Sequence, residues 1–501
     1  MQAIQLKDVN FKYPTQQNKI LDCVNFTANY GEIALITGHT GEGKSTLLNI
    51  IGGIIPNILQ GELSGELIID NEQCLGKKLS YICRKVGLVL QNADLQIVHK
   101  IVEDEIAFGL ENLAFPPEKI KNQIDLVCDL FQLEKDWETR TLSGGQKQRL
   151  ITASTLAMGQ KIIILDEPLA NLDKKSSIAL MDILKSLATA GYCVIIIEHR
   201  LDMLINYVDC VWCLKKGKLE KVDDITLHMQ EQVDKMNDSS PEFIGTGENI
   251  FNIQNLSYKV KTRRRTKTML KAKTDGGKKI ILKDITLQIE KGSRTVILGE
   301  NGCGKTTLLR LLAKLYKPTS GTIEQTFYTK TREKFSAGRE GKFEKGRKLK
   351  RQKWFDKIGI VAQNPDYQLF MPTVLQEIAF RAKSEEYALE IAELFGLTSI
   401  LDRHPQSLSQ GQKRRVSIAS VVVGEQEVLL LDEPTVGQDY ESVCELVEIL
   451  NKLHEQTKNT MITITHDMRC VEALCDRAIL IQDGIVANVG GKELVKEYFN
   501  I

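Results

Sequence analysis

Two segments carry the residue types that phosphate chemistry needs, GHTGEGKS from Gly38 to Ser45 and GENGCGKT from Gly299 to Thr306. In each, glycines let a loop curl successive backbone N–H groups around a phosphate, at a helix amino terminus whose dipole favours anions. Lys44 and Lys305 would reach the β and γ phosphates of a nucleotide, and Ser45 and Thr306 offer hydroxyls to Mg²⁺. The expected cradle is therefore Gly38, His39, Thr40, Gly41, Glu42, Gly43, Lys44, Ser45 and Thr46 in one copy. In the other it is Gly299, Glu300, Asn301, Gly302, Cys303, Gly304, Lys305, Thr306 and Thr307. One such loop alone could be a glycine-rich turn without a ligand. Two, each followed by the same further parts, leave that reading no room.

Those parts begin with Ile162 to Glu167 and Val428 to Glu433, four apolar residues followed by two acids. The pattern describes a buried strand that delivers carboxylates at its carboxyl end, where ligands sit in an open α/β sheet. Asp166 and Asp432 would support Mg²⁺, and Glu167 and Glu433 would polarise the attacking water as general bases. His199 and His466 each follow a β-rich segment and would contact the γ-phosphate and orient that water. A lone histidine after a strand is ordinarily packed or simply exposed, but here it recurs beside matched motifs.

The elements that position these residues repeat as well. TLSGGQKQR at Thr141 recurs as SLSQGQKRR at Ser407, and IIIEHRLDM at Ile195 as TITHDMRC at Thr463. Each copy starts with short alternating segments, passes through strand, glycine loop and helix, and ends in strands separated by helical patterns, a mixed α/β order. In EIALITGHTGEGKSTLLNIIGG the helix would bury Leu47, Leu48, Ile50 and Ile51. Changes in spacing between paired motifs put insertions early in the second copy and a deletion after Gln363. The expected domains are residues 1–228 and 247–501, joined by a polar, turn-rich linker at 229–246. Basic insertions fall near 259–279 and 330–353.

Composition narrows the setting. With 66 Lys and Arg against 65 Asp and Glu, no overall field argues for nucleic acid or an acidic partner. The longest apolar runs are far shorter than the roughly 20 residues of a membrane-spanning helix. The amino terminus, MQAIQLKDVNFKY, alternates like a first strand and lacks the parts of a signal peptide, so a cytoplasmic protein is expected. Eleven cysteines lie mostly within apolar segments, and the pair Cys210 and Cys213 reads as part of a strand ending at a Lys-Gly turn.

Taken together these motifs resemble the ATP-binding cassette, with LSGGQ from Leu142 to Gln146 as its signature, and the resemblance covers nearly the whole chain twice. It implies two cassette domains that bind ATP and Mg²⁺, each a P-loop α/β core with a small antiparallel β subdomain and a helical signature subdomain. It further implies that the signature of one domain closes over the nucleotide of the other. Ser143, Gly144, Gly145 and Gln146 would thus serve one site, and Ser409, Gln410, Gly411 and Gln412 the other. Ser143 and the amides of Gly144 and Gly145 would open a helix whose positive end faces a γ-phosphate. Tyr13 and Tyr258 fall where the family stacks an aromatic ring on adenine, although each read alone fits an edge strand. Asp173 and Asp439 match the family's D-loop. One departure stands out: Gln410 replaces the glycine found at Gly144, so the site of the first P-loop is expected to be altered but not dead.

The glutamine loops, VGLVLQNADLQ at Val86 and IGIVAQNPDYQ at Ile358, look like those of the energy-coupling-factor and cobalt-type importers of vitamins and metals. In that group the Q-N-P-D-x-Q segment and the acidic helix after it face a transmembrane partner, here Gln91 to Gln96 and Gln363 to Gln368, with Ala93 departing from the pattern's proline. Gln91 and Gln363 would also take part in Mg²⁺ binding and catalysis. The implied partners are an integral membrane coupling (T-type) subunit and a small substrate-binding membrane subunit, met at the cytoplasmic face of the membrane, with no specific nucleic acid. Tandem sugar-importer ATPases are a second reading, but they typically degrade one half, whereas both halves here are intact. Soluble tandem-cassette translation factors acting on ribosomes are a third, but they carry a long charged arm between the cassettes. The basic insertions read as solvated hairpin loops extending the antiparallel subdomain, with anionic lipid headgroups and RNA the other candidate contacts. Aromatic residues there are sparse, Phe335, Phe343 and Trp354, which disfavours base stacking.

Overall fold

Runs of branched apolar residues set the frame of each half. In the computed structural model the strands Ile162–Asp166 and Cys193–Ile197 are buried at every position, as parallel strands covered on both faces must be. Alternate residues serve different cores. Ile163, Leu165, Val194 and Ile196 pack with the helical layer of Val102, Ile106, Phe131 and Leu150. Ile162, Ile164, Cys193 and Ile195 pack with Leu47, Leu48, Ile50 and Ile51 of the P-loop helix and with the antiparallel sheet. The six-stranded sheet runs Lys218–Val222, Cys210–Lys215, Ile33–Gly38, Cys193–Ile197, Ile162–Asp166, Val86–Val89, parallel except for the first strand. That edge strand returns through a tight turn at Lys216 and Gly217, both at positive φ, and Cys210 and Cys213 lie half-buried as free thiols on the strand before it. A four-stranded antiparallel sheet, ordered Leu21–Asn29, Gln2–Lys12, Glu62–Ile69, Glu72–Gln73, completes the half.

The second half repeats this order. Its main sheet runs Ile358–Val361, Val428–Asp432, Thr460–Ile464, Arg294–Leu298, Arg477–Gln482, Ile485–Gly490, again with one antiparallel edge. Its antiparallel sheet has five strands, Thr274–Asp275, Lys278–Glu290, Asn249–Lys261, Ser320–Thr326 and Arg332–Ser336. The first long hairpin stays paired out to Lys261 and Lys278, at the edge of the first basic insertion. Trp354, just past the second insertion, is core: fully buried, its Nε1 donates to the carbonyl oxygen of Leu312 at 3.3 Å. The expected α/β fold with an antiparallel subdomain is thus present in both halves.

The chain divides into two units, Met1–Gln232 and Val233–Ile501. The residues described are 1–14, 17–170, 172–199, 201–222, 247–261, 274–275, 278–326, 332–336, 354 and 356–499. The expected linker at 229–246 and most of both basic insertions lie outside them. Among the described residues no helix is long and apolar enough to cross a membrane.

Candidate active site

In each half, the P-loop, the acidic pair, the histidine and the glutamine all follow the carboxyl ends of neighbouring strands of the main sheet. That edge is the ligand-binding edge of an open α/β sheet. The loop itself requires glycine. At Gly38, with φ of 141°, a Cβ would lie 2.1 Å from the carbonyl oxygen of Leu214; at Gly299, with φ of 143°, one would lie 2.2 Å from that of Ile481. The helices Lys44–Ile51 and Lys305–Leu312 start without a side-chain cap, which suits their positive ends to an anion. Lys44 Nζ donates to the carbonyl oxygens of Gly38 at 2.8 Å and His39 at 2.7 Å. Lys305 does the same to Gly299 at 2.7 Å and Glu300 at 3.0 Å.

Beside each loop a hydroxyl meets a carboxylate. Ser45 Oγ donates to Asp166 at 3.3 Å, and Thr306 Oγ1 to Asp432 at 3.2 Å. Burial pushes Asp166 up to about 7, helped by the neighbouring Glu167 charge, and burial likewise pushes Asp432 up. A buried carboxylate beside a hydroxyl is a hard-oxygen donor set of the kind Mg²⁺ takes together with phosphate oxygens, so these residues fit that ion.

Glu167 and Glu433 adopt left-handed backbone, φ of 46° and 51°, unusual for residues other than glycine. Such strain costs on the order of 1–3 kcal/mol and gathers at functional sites. Here the turn is held by the amides of both glutamates, which donate to the carbonyl oxygens of Ile197 and Ile464 at 2.9 Å. Gln91 Nε2 donates to Glu167 at 2.6 Å, and His199 Nε2 lies 3.4 Å from its other oxygen. Burial alone would raise Glu167, but His199, Lys44 and Gln91 outweigh it and hold the carboxyl below its usual range. Glu433 has His466 Nε2 at 3.5 Å and the His466 amide at 3.2 Å, yet burial pushes it up to about 8.

The other expected residues fall as follows. Tyr13 donates to or accepts from Thr46 Oγ1 at 3.1 Å, against the P-loop helix, whereas Tyr258 stacks on Tyr316 with ring centroids 5.4 Å apart. Ser143 and Ser409 each cap a signature helix, Gly144–Ala157 and Gln410–Val422, in a reciprocal box with Gln146 and Gln412. Gln410 is exposed on the first turn. Asp173 and Asp439 cap the helices Lys174–Thr189 and Tyr440–Thr457.

Three residues escaped the sequence reading. Tyr316, held by Arg310, supplies the stacking partner of Tyr258. Glu198 is buried and accepts from the amides of Leu169 at 3.2 Å and His199 at 3.0 Å, where the second half has Thr465. Arg414 is buried where the first half has Gln148. Comparing the halves residue by residue was the available signal for the last two. The acidic helices also differ from expectation in one respect: Glu105 and Glu377 point inward and are buried, accepting from the amides of Val98 and His99, and of Phe370 and Met371.

Fold and site together define a P-loop ATPase with two nucleotide-binding halves. Residues 21–170 and 282–436 match the ABC transporter family model, and the chain belongs to that family. It is 32% identical to the ATP-binding protein YkoD of Bacillus subtilis, named for HMP/thiamine import, over 96% of this chain and 90% of that one. It is 31% identical to an ABC transporter ATP-binding protein of Methanosarcina mazei, over 96% of this chain and 88% of that one. Among solved structures, the RNase-L inhibitor covers 99% of this chain and 92% of its own with a TM-score of 0.62, and at 20% identity that likeness is one of fold.

Proposed function

We propose that this tandem ABC ATPase powers import of a vitamin or metal-type micronutrient through a separate membrane complex of the energy-coupling-factor type. The observation that carries the reading is a set of exposed apolar side chains in and just after each glutamine loop. Leu95 and Val98 are 80% and 67% exposed in the first half, and Tyr367, Phe370 and Phe380 are 81%, 68% and 64% exposed in the second. Large apolar side chains clustered so openly are characteristic of a protein-binding surface. They lie within or just after the segments whose sequence resembles the partner-facing loops of such importers, and the YkoD relative is named for import of an HMP/thiamine substrate. The occupants would be the T-type coupling subunit and, through it, a small substrate-binding subunit.

At each site the phosphates of ATP would lie on the P-loop amides, with Lys44 or Lys305 neutralising the β and γ groups. Ser45, Gln91 and Asp166, or Thr306, Gln363 and Asp432, would hold Mg²⁺, which supplies charge stabilisation to the transferring phosphoryl group. Glu167 or Glu433 accepts a proton from water as its oxygen bonds to the γ-phosphorus and the bond to the β-γ bridging oxygen breaks. His199 or His466 orients that water. By family resemblance, each signature would complete the site on the other cassette, and hydrolysis would then control whether the two cassettes adhere. Affinity purification of the tagged chain from detergent-solubilised membranes should recover an integral membrane protein, and Phe370→Asp with Phe380→Asp should lose it. Recovery of ribosomes without a membrane protein would overturn the reading.

A further inference from the structure

The two signature helices differ at several buried positions, and at one of them the second half carries a charge. In the second half Arg414 is 3% exposed, and its guanidinium donates to the carbonyl oxygen of Ala362 at 2.7 Å and to that of Gln363. Both acceptors are main-chain atoms of the glutamine loop. In the first half the same place is taken by Gln148, also buried, whose Nε2 has no partner among the described residues. Beside it lies a cavity of about 40 Å³ lined by Gln91, Asp94, Gly144, Lys147, Gln148 and Glu167. Lys147 with Asp94 and Lys413 with Asp366 tie loop to helix in both halves. The two-pronged Arg414 contact is therefore an added charged tie in the second half, beside the Ser417 hydroxyl that donates to Gln368 at 3.0 Å where the first half has Ile151.

We propose that Arg414 is a positioning residue that makes the Gln363 loop and the second signature helix move as one body, while the Gln91 loop and the first signature helix can separate. A planar guanidinium with two N–H groups on successive carbonyl oxygens fixes distance and orientation together, which a glutamine amide cannot reproduce. Buried, the pair also escapes competition from water. Resting on the reading of Gln363 to Phe380 as the partner-facing face, this assigns direct transmission of partner docking to the signature of the second half. The first half would respond through its surface ion pair and packing.

Backbone hydrogen exchange on the full chain, without nucleotide or partner, tests the tie independently of transport. Arg414→Met should speed exchange of the amides at 361–370 by about tenfold, the scale of one lost charge-assisted hydrogen bond, and leave the P-loop at 299–306 unchanged. Arg414→Lys, able to reach one carbonyl, should recover part of the protection. Gln148→Arg, with the adjoining cavity to receive the larger side chain, should slow exchange at 90–96. In a Glu167→Gln background, Arg414→Met should lower kcat and leave the KM for ATP within about twofold, since its contacts are with the loop and not the phosphate cradle. Unchanged exchange at 361–370 in a folded Arg414→Met chain would overturn the proposal, as would Arg414→Lys behaving like Arg414→Met. Should Arg414→Met not fold, unchanged exchange at 90–96 in Gln148→Arg overturns it alone. Loss of the exchange effect with transport intact would sink this inference and spare the import reading, and the reverse result would do the opposite.

Discussion

A methyl group added at Gly38 would collide with the backbone of Leu214 and would also force left-handed strain on an L side chain, whereas at Gly41, with φ of 90°, there is strain but nothing within 4 Å. The two substitutions should therefore separate. Gly41→Ala is expected to cost about 1–2 kcal/mol, the left-handed penalty for a residue with a Cβ, and to keep nucleotide binding. Gly38→Ala should lower the thermal midpoint further and abolish ATP binding, because strand and loop cannot both hold their places. Thermal unfolding with and without MgATP checks both, and equal shifts would show that the loop yields to the clash. At this scale the glycines, lysines and acidic pairs were legible because phosphate chemistry restricts residue type at fixed spacing. The left-handed turn at Glu167 and Glu433 was not, since glutamate carries no mark of φ.

The glutamine-loop segments show where element-level reading succeeds and stops. An acidic helix was legible after each loop, and Val102–Asn112 and Val374–Ala379 are helical. What could not be read is that one acid on each turns inward. Sequence periodicity places Glu105 and Glu377 on a helix but cannot show the amides that return to meet them, because those come from the preceding loop. Glu377 Oε2 accepts from Phe370 at 2.8 Å and Met371 at 2.7 Å, fixing the loop that exposes Phe370. Glu377→Ala should then cost about 1–3 kcal/mol per donor left unsatisfied. It should weaken capture of the proposed membrane partner, as is expected of Phe370→Asp, with ATP affinity retained. Partner recovery and nucleotide titration measured on the same preparations decide it, and a Glu377→Ala chain that binds the partner normally would show that the loop holds itself.

The two halves of the molecule share the P-loop lysine, the acidic pair and the histidine of the proposed site yet differ around them, and duplication made this visible: each half serves as a reference for the other. The matched motifs and the α/β order were legible over both copies, while Glu198, Arg414 and the Gln91 contact became meaningful only once packing showed what they touch. Replacing either proposed general base, Glu167 or Glu433, by its amide keeps shape and should leave ATP binding intact while removing about 10² to 10⁴ in rate, or roughly 3–5.5 kcal/mol of barrier. The losses should be unequal. On the proposed pairing, Glu167 acts on the ATP of the first P-loop, served by the signature with Gln410, and Glu433 on the ATP served by LSGGQ. Gln410 begins its helix exposed, and on that proposal its side chain stands where a signature glycine would leave the amides clear for the phosphate. If that slows the first site, Glu433→Gln removes the faster one and causes the greater loss of total turnover, and Gln410→Gly narrows the gap between the two mutants. Steady-state ATPase and uptake in the reconstituted complex, with nucleotide binding measured alongside, give the answer. Equal losses that Gln410→Gly does not alter would mean that the signature change is silent and that the asymmetry of the two halves lies elsewhere.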